Sequence, residues 1–199
     1  VCSPSPYLKE YAAKQGFSYL ETPVNRSISI KDDIRSINAI CKYIRCNNID
    51  IISGHTPKGA LLAMIAGKLC NVPQRYYFRH GLVYETSNGL KRFILKTVDR
   101  VASLCATQIV CVSPSVLSRS IEDKLAPAKK QLILKNGTCN GVDTINQFNP
   151  GKITESKVKE LKLRYGIDPD DFVIGYSGRL VRDKGIIELV KAFDLLENA

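Results

Sequence analysis

The chain has 199 residues, 44% hydrophobic and 24% charged, enough for one real core and for one or two domains. Its formal net charge of +10 favours an anionic partner: nucleic acid, an acidic membrane surface or a phosphate-bearing small molecule. Apolar residues come in short clusters, far below the roughly 20 that a spanning helix needs, and Val1-Cys2-Ser3-Pro4-Ser5-Pro6 lacks the basic-then-apolar pattern of a secretory signal.

Val1-Cys2-Ser3 reads as the tail of a strand whose beginning is missing, which implies a segment of a longer chain. Pro6 to Gln15 and Lys31 to Cys46 read as helices, with Ser18 to Glu21 a short strand between them. From Asp50 onward short apolar runs alternate with longer helical patterns, the signature of parallel β/α units. Asp50 to Ser53 is a strand ending at Gly54-His55-Thr56-Pro57, and Lys58 to Cys70 a mostly buried helix through Leu61, Leu62, Ile65 and Leu69. Arg75 to Phe78 is the next strand, followed by a loop from Arg79 to Asn88 and a helix from about Gly89 to Ala106. That helix sets Phe93, Ile94, Val98, Val101, Leu104 and Cys105 on one side and Arg92, Lys96 and Arg100 on another. The strand Gln108 to Val112, a helix after Pro114 and the strand Gln131 to Leu134 complete the series. This gives a first α/β domain over residues 1–143, a linker over 144–153 and a second unit over 154–199, with a helix Thr154 to Tyr165, a strand Phe172 to Tyr176 and a helix from Gly185 to about Glu197.

The seven cysteines, Cys2, Cys41, Cys46, Cys70, Cys105, Cys111 and Cys139, form no Cys-x-x-Cys pair and read as reduced thiols of a cytoplasmic protein. His55 and His80 are the only histidines and neither adjoins a cysteine cluster, so no structural metal is expected. With no helix-turn-helix, zinc-finger or aromatic RNA-binding signal, and basic residues spread along the chain, nucleic acid is not an expected partner.

The densest chemical signal is Ser177-Gly178-Arg179-Leu180-Val181-Arg182-Asp183-Lys184-Gly185. An apolar run meets Gly178, then presents Arg179, Arg182 and Lys184 just before a helix whose free N–H groups and dipole favour a diphosphate. On spacing alone, an ordinary strand-to-helix turn with exposed cations fits slightly better. The stretch resembles the donor-domain motif of the retaining glycosyltransferases related to glycogen synthases and lipopolysaccharide glucosyltransferases. His55-Thr56-Pro57-Lys58, Arg79-His80-Gly81-Leu82-Val83-Tyr84-Glu85, Val112-Ser113-Pro114-Ser115 and Asn136-Gly137-Thr138-Cys139-Asn140-Gly141-Val142-Asp143 follow the order of the family's bacterial capsule, O-antigen and lipid-linked-oligosaccharide branch.

The resemblance implies a Rossmann-like α/β fold of the GT-B type and transfer of a sugar, with retention, from a nucleotide-sugar donor to a glycan or polyprenyl-diphosphate-linked acceptor. It implies donor-diphosphate binding by Gly178, Arg179 and Lys184 and a His80 that faces the donor sugar. His55, Thr56, Ser113 and Asn140 fall on the cleft or acceptor side. The nucleotide sugar is a substrate, and no cofactor is implied. Retention in this family does not call for the paired carboxylates of glycosidases. Arg92, Lys96 and Arg100 could rest on an anionic membrane surface, placing the protein at the inner face of the plasma membrane, or could form a solvated helix face.

Two family elements are not found: the opening strand with its Gly-rich loop, and the paired-Glu motif of the donor domain, whose spacing Glu188 and Glu197 do not reproduce. The 199 residues are therefore expected not to catalyse transfer alone. Phe172 to Tyr176 with its following helix is a candidate to fill the missing strand's place in the first sheet. The alternatives are a nucleotide-sugar epimerase-like enzyme and a non-catalytic phosphate-binding module.

Overall fold

A computed structural model of the chain describes residues 1, 3–25, 29–138 and 140–197, with the side chains of Asp183 and Glu197 also outside the description. Cys2 and Cys139 lie outside the described residues; Cys41, Cys46, Cys70, Cys105 and Cys111 are unpaired. The chain forms two compact units, Val1–Asn140 and Gly141–Ala199.

The first unit is an α/β layer structure. Its elements are α1 (Pro6–Gln15), α2 (Ile30–Asn47), β1 (Ile51–His55), α3 (Pro57–Leu69), β2 (Gln74–Arg79), α4 (Gly89–Cys105), β3 (Gln108–Cys111), α5 (Pro114–Glu122) and β4 (Gln131–Ile133). The four strands form one parallel sheet in the order β1-β2-β3-β4, with His55 beside Phe78 and Arg79 beside Cys111. A parallel sheet needs a crossover between neighbours, and α3, α4 and α5 supply it, so every strand delivers its carboxyl end to the same edge. Ser18 to Glu21 is not a strand; only Glu21 makes an isolated bridge.

Helix α3 is the packing centre. Pro57 fits its first turn, where no N–H partner is needed. Ala60 and Met64 join Tyr77, Ala102 and Ile109 in one cluster, while Leu62 and Ala66 join Ile40, Cys41, Ile44 and Val72 in another. Helix and strand touch so closely that a Cβ on Gly54 would lie 2.6 Å from the Ala60 Cα, a position only glycine fills. Leu69, expected inside, is exposed at the last residue of the helix, beside α2.

The second unit contains α6 (Glu155–Arg164) and α7 (Ile186–Glu197). Phe172 to Tyr176 is not a strand and does not join the sheet, which overturns both expectations for it. The described residues of this unit contain no strand, so the backbone of 172–176 has no ladder to enter, and Phe172 is 92% exposed.

Candidate functional site at the carboxyl edge of the sheet

Strand parity builds the site. Side chains alternate across a sheet, and on β2 Tyr77 and Arg79 turn into the core while Phe78 faces the other way. Arg79 is fully buried at the end of β2 and meets four partners: Asp99 (2.5 Å) and Ser103 (2.7 Å) on α4, Ser120 (2.5 Å) on α5 and Gln131 (2.8 Å) on β4. The Tyr77 hydroxyl donates to the second Asp99 oxygen at 2.9 Å. Burial and the Asp99 charge push the Tyr77 phenol far up. Burial works against the Arg79 charge, but the Asp99 carboxylate, Tyr77 and the hydrogen bond to Asp99 together outweigh it and hold the guanidinium charged. This buried cluster ties α4, α5 and β4 to the strand whose next residue is His80. The sequence reading took Arg79 as the first residue of a loop; the alternation Arg75, Tyr77, Arg79 was the signal that it continues the strand.

His80 and His55 are brought together. His55 Nδ1 lies 3.0 Å from His80 Nε2, one nitrogen donating to the other, and the His55 ring stacks on Phe78 with centroids 4.6 Å apart. Partial desolvation first, and the neighbouring His80 second, hold the His55 imidazole below its ordinary value. A second proton on the pair would set two N–H groups against each other, so the pair shares one hydrogen bond only while at least one contacting nitrogen is bare. Both rings are open to solvent, beside a cleft of about 520 Å³ that runs along β1 between Val1, Ile52, Gly54 and Thr56.

Thr56 follows at φ 65°, ψ 156°, a region that essentially only glycine visits, at a cost of about 1–3 kcal/mol. Nothing in the sequence marks that strain. Lys58 of the same motif bonds Asp33 at 2.5 Å, fastening α3 to α2. Ser113 caps α5 through its Oγ, which accepts from the Val116 N–H at 3.2 Å, so it shapes the edge. The Asn136-Gly137 turn presses on that edge: Gly137 has φ 99°, a Cβ there would lie 2.5 Å from the Val112 carbonyl oxygen, and the Thr138 N–H donates to the same oxygen at 2.6 Å. Asn140 is exposed at the end of the first unit.

The loop after His80 is anchored by Tyr84, which is buried and donates to Asp123 at 2.7 Å. Here the expectation for α4 is corrected. Lys96 bonds Asp123 at 2.8 Å, Arg100 donates to the Asp123 and Lys124 carbonyls, and Arg92 and Lys96 lie over the Tyr84 ring at 5.4 and 5.1 Å. These cations hold the loop and α5 rather than forming a solvated face. The Lys96 and Tyr84 hydrogen bonds hold the Asp123 carboxyl below its usual range.

Gly178, Arg179 and Lys184 belong to the second unit. Arg179 is exposed, its carbonyl accepting from the Tyr176 hydroxyl at 3.0 Å. Lys184 closes a short turn over Arg182–Lys184, and Gly185 at φ 69° leads into α7. Among the described residues no cluster of His, Cys, Asp and Glu could hold a metal ion, and no helix is long and apolar enough to cross a membrane.

A parallel α/β unit with its polar groups gathered at the carboxyl edge is the Rossmann-like architecture of GT-B glycosyltransferases. The fold matches a glycosyltransferase from Rickettsia africae with a TM-score of 0.69 at 20% identity, covering 99% of this chain and 48% of that one. Anabaena HepE, solved with UDP-glucose, matches with a TM-score of 0.65 at 17% identity over 96% and 47%. The chain belongs to the glycosyl transferase 4-like family, whose model matches residues 1–113. It is 33% identical over 174 residues to the capsular polysaccharide biosynthesis glycosyltransferase CapM of Staphylococcus aureus, covering 87% of this chain and 44% of that protein. It is 25% identical over 193 residues to an Escherichia coli UDP-Gal:α-D-GlcNAc-diphosphoundecaprenol α-1,3-galactosyltransferase, covering 96% and 48%. The chain thus spans about half the length of these relatives. Family membership favours the transferase reading over the epimerase-like alternative.

Proposed function

We propose that the protein carrying this chain transfers a sugar from a nucleotide-sugar donor to a lipid-linked glycan acceptor in bacterial surface polysaccharide synthesis. The observation that carries this is the family membership together with the 33% identity to a protein named as a capsular polysaccharide glycosyltransferase. The galactosyltransferase relative, whose name specifies a UDP-sugar and a diphosphoundecaprenol-linked acceptor, makes those the first donor and acceptor classes to test. Work on the cytoplasmic side, where nucleotide sugars are made, follows from that donor.

In this reading the acceptor hydroxyl attacks the anomeric carbon on the face from which the nucleoside diphosphate departs. The bond to the leaving diphosphate breaks, and a diphosphate oxygen takes the acceptor proton, so configuration is retained. Arg179 and Lys184 take up charge on the departing diphosphate, and Gly178 leaves room for its approach. His80, fixed by His55 and by the strand end at Arg79, contacts the reacting sugar. No metal is required, because the cations meet the diphosphate charge.

Donor turnover and donor hydrolysis with a panel of nucleotide sugars, measured on the protein expressed from its own gene, test this. A double substitution Arg179→Ala, Lys184→Ala should lower turnover on the order of a hundredfold or more while circular dichroism stays unchanged. Absence of donor binding in the unsubstituted protein, or an unimpaired double variant, overturns the proposal and leaves a phosphate-binding module.

A further inference from the structure

Helices α2 and α3 meet through two cysteines. Cys41 is buried on α2 in one cluster with Ile40, Ile44, Leu62 and Ala66, and half-buried Cys70 ends α3 and packs against the same cluster. The Cys41 thiol donates to the Ala66 carbonyl at 3.8 Å, and that same oxygen accepts the Cys70 N–H at 3.0 Å. The Cys70 thiol in turn donates to the Cys41 carbonyl at 3.7 Å. Each sulfur is laid against the backbone that carries the other, the close approach that a disulfide between two helices requires.

The two thiols are not equivalent. Burial first, and the Cys70 thiol beside it second, push the Cys41 thiol up to about 11. Holding its proton, Cys41 is a poor first nucleophile. Cys70 is the less buried of the two, so it meets an oxidant first. A recess lined by Asn38, Cys41, Lys42, Arg45, Cys46 and Leu69 brings small solutes to the same place. Exposed Cys46 shares that recess and is the natural competitor for the linkage.

We infer that Cys41 and Cys70 are an oxidisable dithiol, a modification site that hydrogen peroxide converts to a disulfide stapling the end of α3 to α2. The Cys70 thiolate attacks one peroxide oxygen, the O–O bond breaks, and the departing hydroxide becomes water, leaving a sulfenic acid on Cys70. The Cys41 sulfur then attacks the Cys70 sulfur, the S–O bond breaks, and the departing hydroxide takes the Cys41 proton as a second water. Two thiols lose two electrons and peroxide accepts them. The staple spans 29 positions of the chain. Helix α3 is then tied to α2 at both of its ends, by the Lys58–Asp33 ion pair at the first and by the disulfide at the last, which fixes the wall that Ile40 presents to the cleft along β1. The inference does not depend on the transferase reading.

The three cysteines of this region fall in separate tryptic peptides, Ser36–Lys42, Cys46–Lys58 and Leu69–Arg75, so mass spectrometry reads the linkage directly. The reduced protein, expressed from its own gene, is treated with hydrogen peroxide, quenched in acid and alkylated. The linked Cys41–Cys70 peptide should appear, return to two thiols with dithiothreitol, and accompany a rise of about 5–10 °C in thermal midpoint. Cys70→Ser should lose both the linkage and the rise, and Cys46→Ser should keep both. The linkage map of the unsubstituted protein stands without either variant. A linkage through Cys46 instead, a sulfinic acid on Cys70 with no linked peptide, or a linked peptide that forms only in urea overturns the inference. A linked peptide with no rise in midpoint overturns the staple.

Discussion

Gln74–Arg79 and Phe172–Tyr176 are both short, aromatic-bearing runs that lead through a glycine-containing loop toward a helix, yet only the first is a strand. The first lies between β1 and β3 and pairs with both; the second has no strand in its own unit to pair with. Propensity nominates a strand, and a neighbouring ladder makes one. The cations at their ends differ in the same way. Arg79 is locked by four buried partners, whereas Arg179 is exposed.

Substitutions should expose that difference in graded steps. Asp99→Ala leaves Arg79 buried without its counter-charge and should cost about 3–5 kcal/mol, read as a large fall in urea midpoint. If the melt is unchanged, the cluster does not hold the strand. Gly54→Ala forces β1 away from the α3 backbone and should cost about 1–3 kcal/mol in the same assay. Lys96→Met removes a partner of the largely buried Asp123 and should cost about 1–2 kcal/mol, an effect that a solvated cation would not produce.

A smaller effect comes from pH. His55 is held below its ordinary value of 6.5, so the unfolded chain binds the proton more readily. Its contribution is present above pH 6.5 and lost as pH falls through the folded value. Ring resonances of the two histidines, followed by NMR, should show His55 titrating low. His80→Asn should raise its midpoint only part of the way, because the desolvation remains; an unchanged midpoint would mean that the rings do not interact. Smallest of all, Phe172→Ser and Arg179→Ala should each stay within about 0.5 kcal/mol of the parent, even though Arg179→Ala should impair donor binding.

Much of the fold was legible because helical and strand periods are local. Pro6–Gln15, Gly89–Cys105 and Gln108–Cys111 fall within a residue of their expected limits. What escaped depends on contacts far apart in the chain. The period of α4 separates its two faces but does not say which one turns inward; Asp99 decides that by pairing with an arginine 20 residues away. His55 and His80 were each legible as strand-end residues, but their hydrogen bond depends on β1 and β2 being neighbours. Phe172–Tyr176 failed for the converse reason, since its pattern was right and its partner missing.

Arg79 and His80 are consecutive residues with opposite access to solvent. The arginine is fully buried and held by side chains from α4, α5 and β4. One peptide bond further on, His80 stands open with His55 against it. A solute arriving at the sheet edge therefore meets the ring directly and never the guanidinium beneath it, an open contact mounted on a sealed frame.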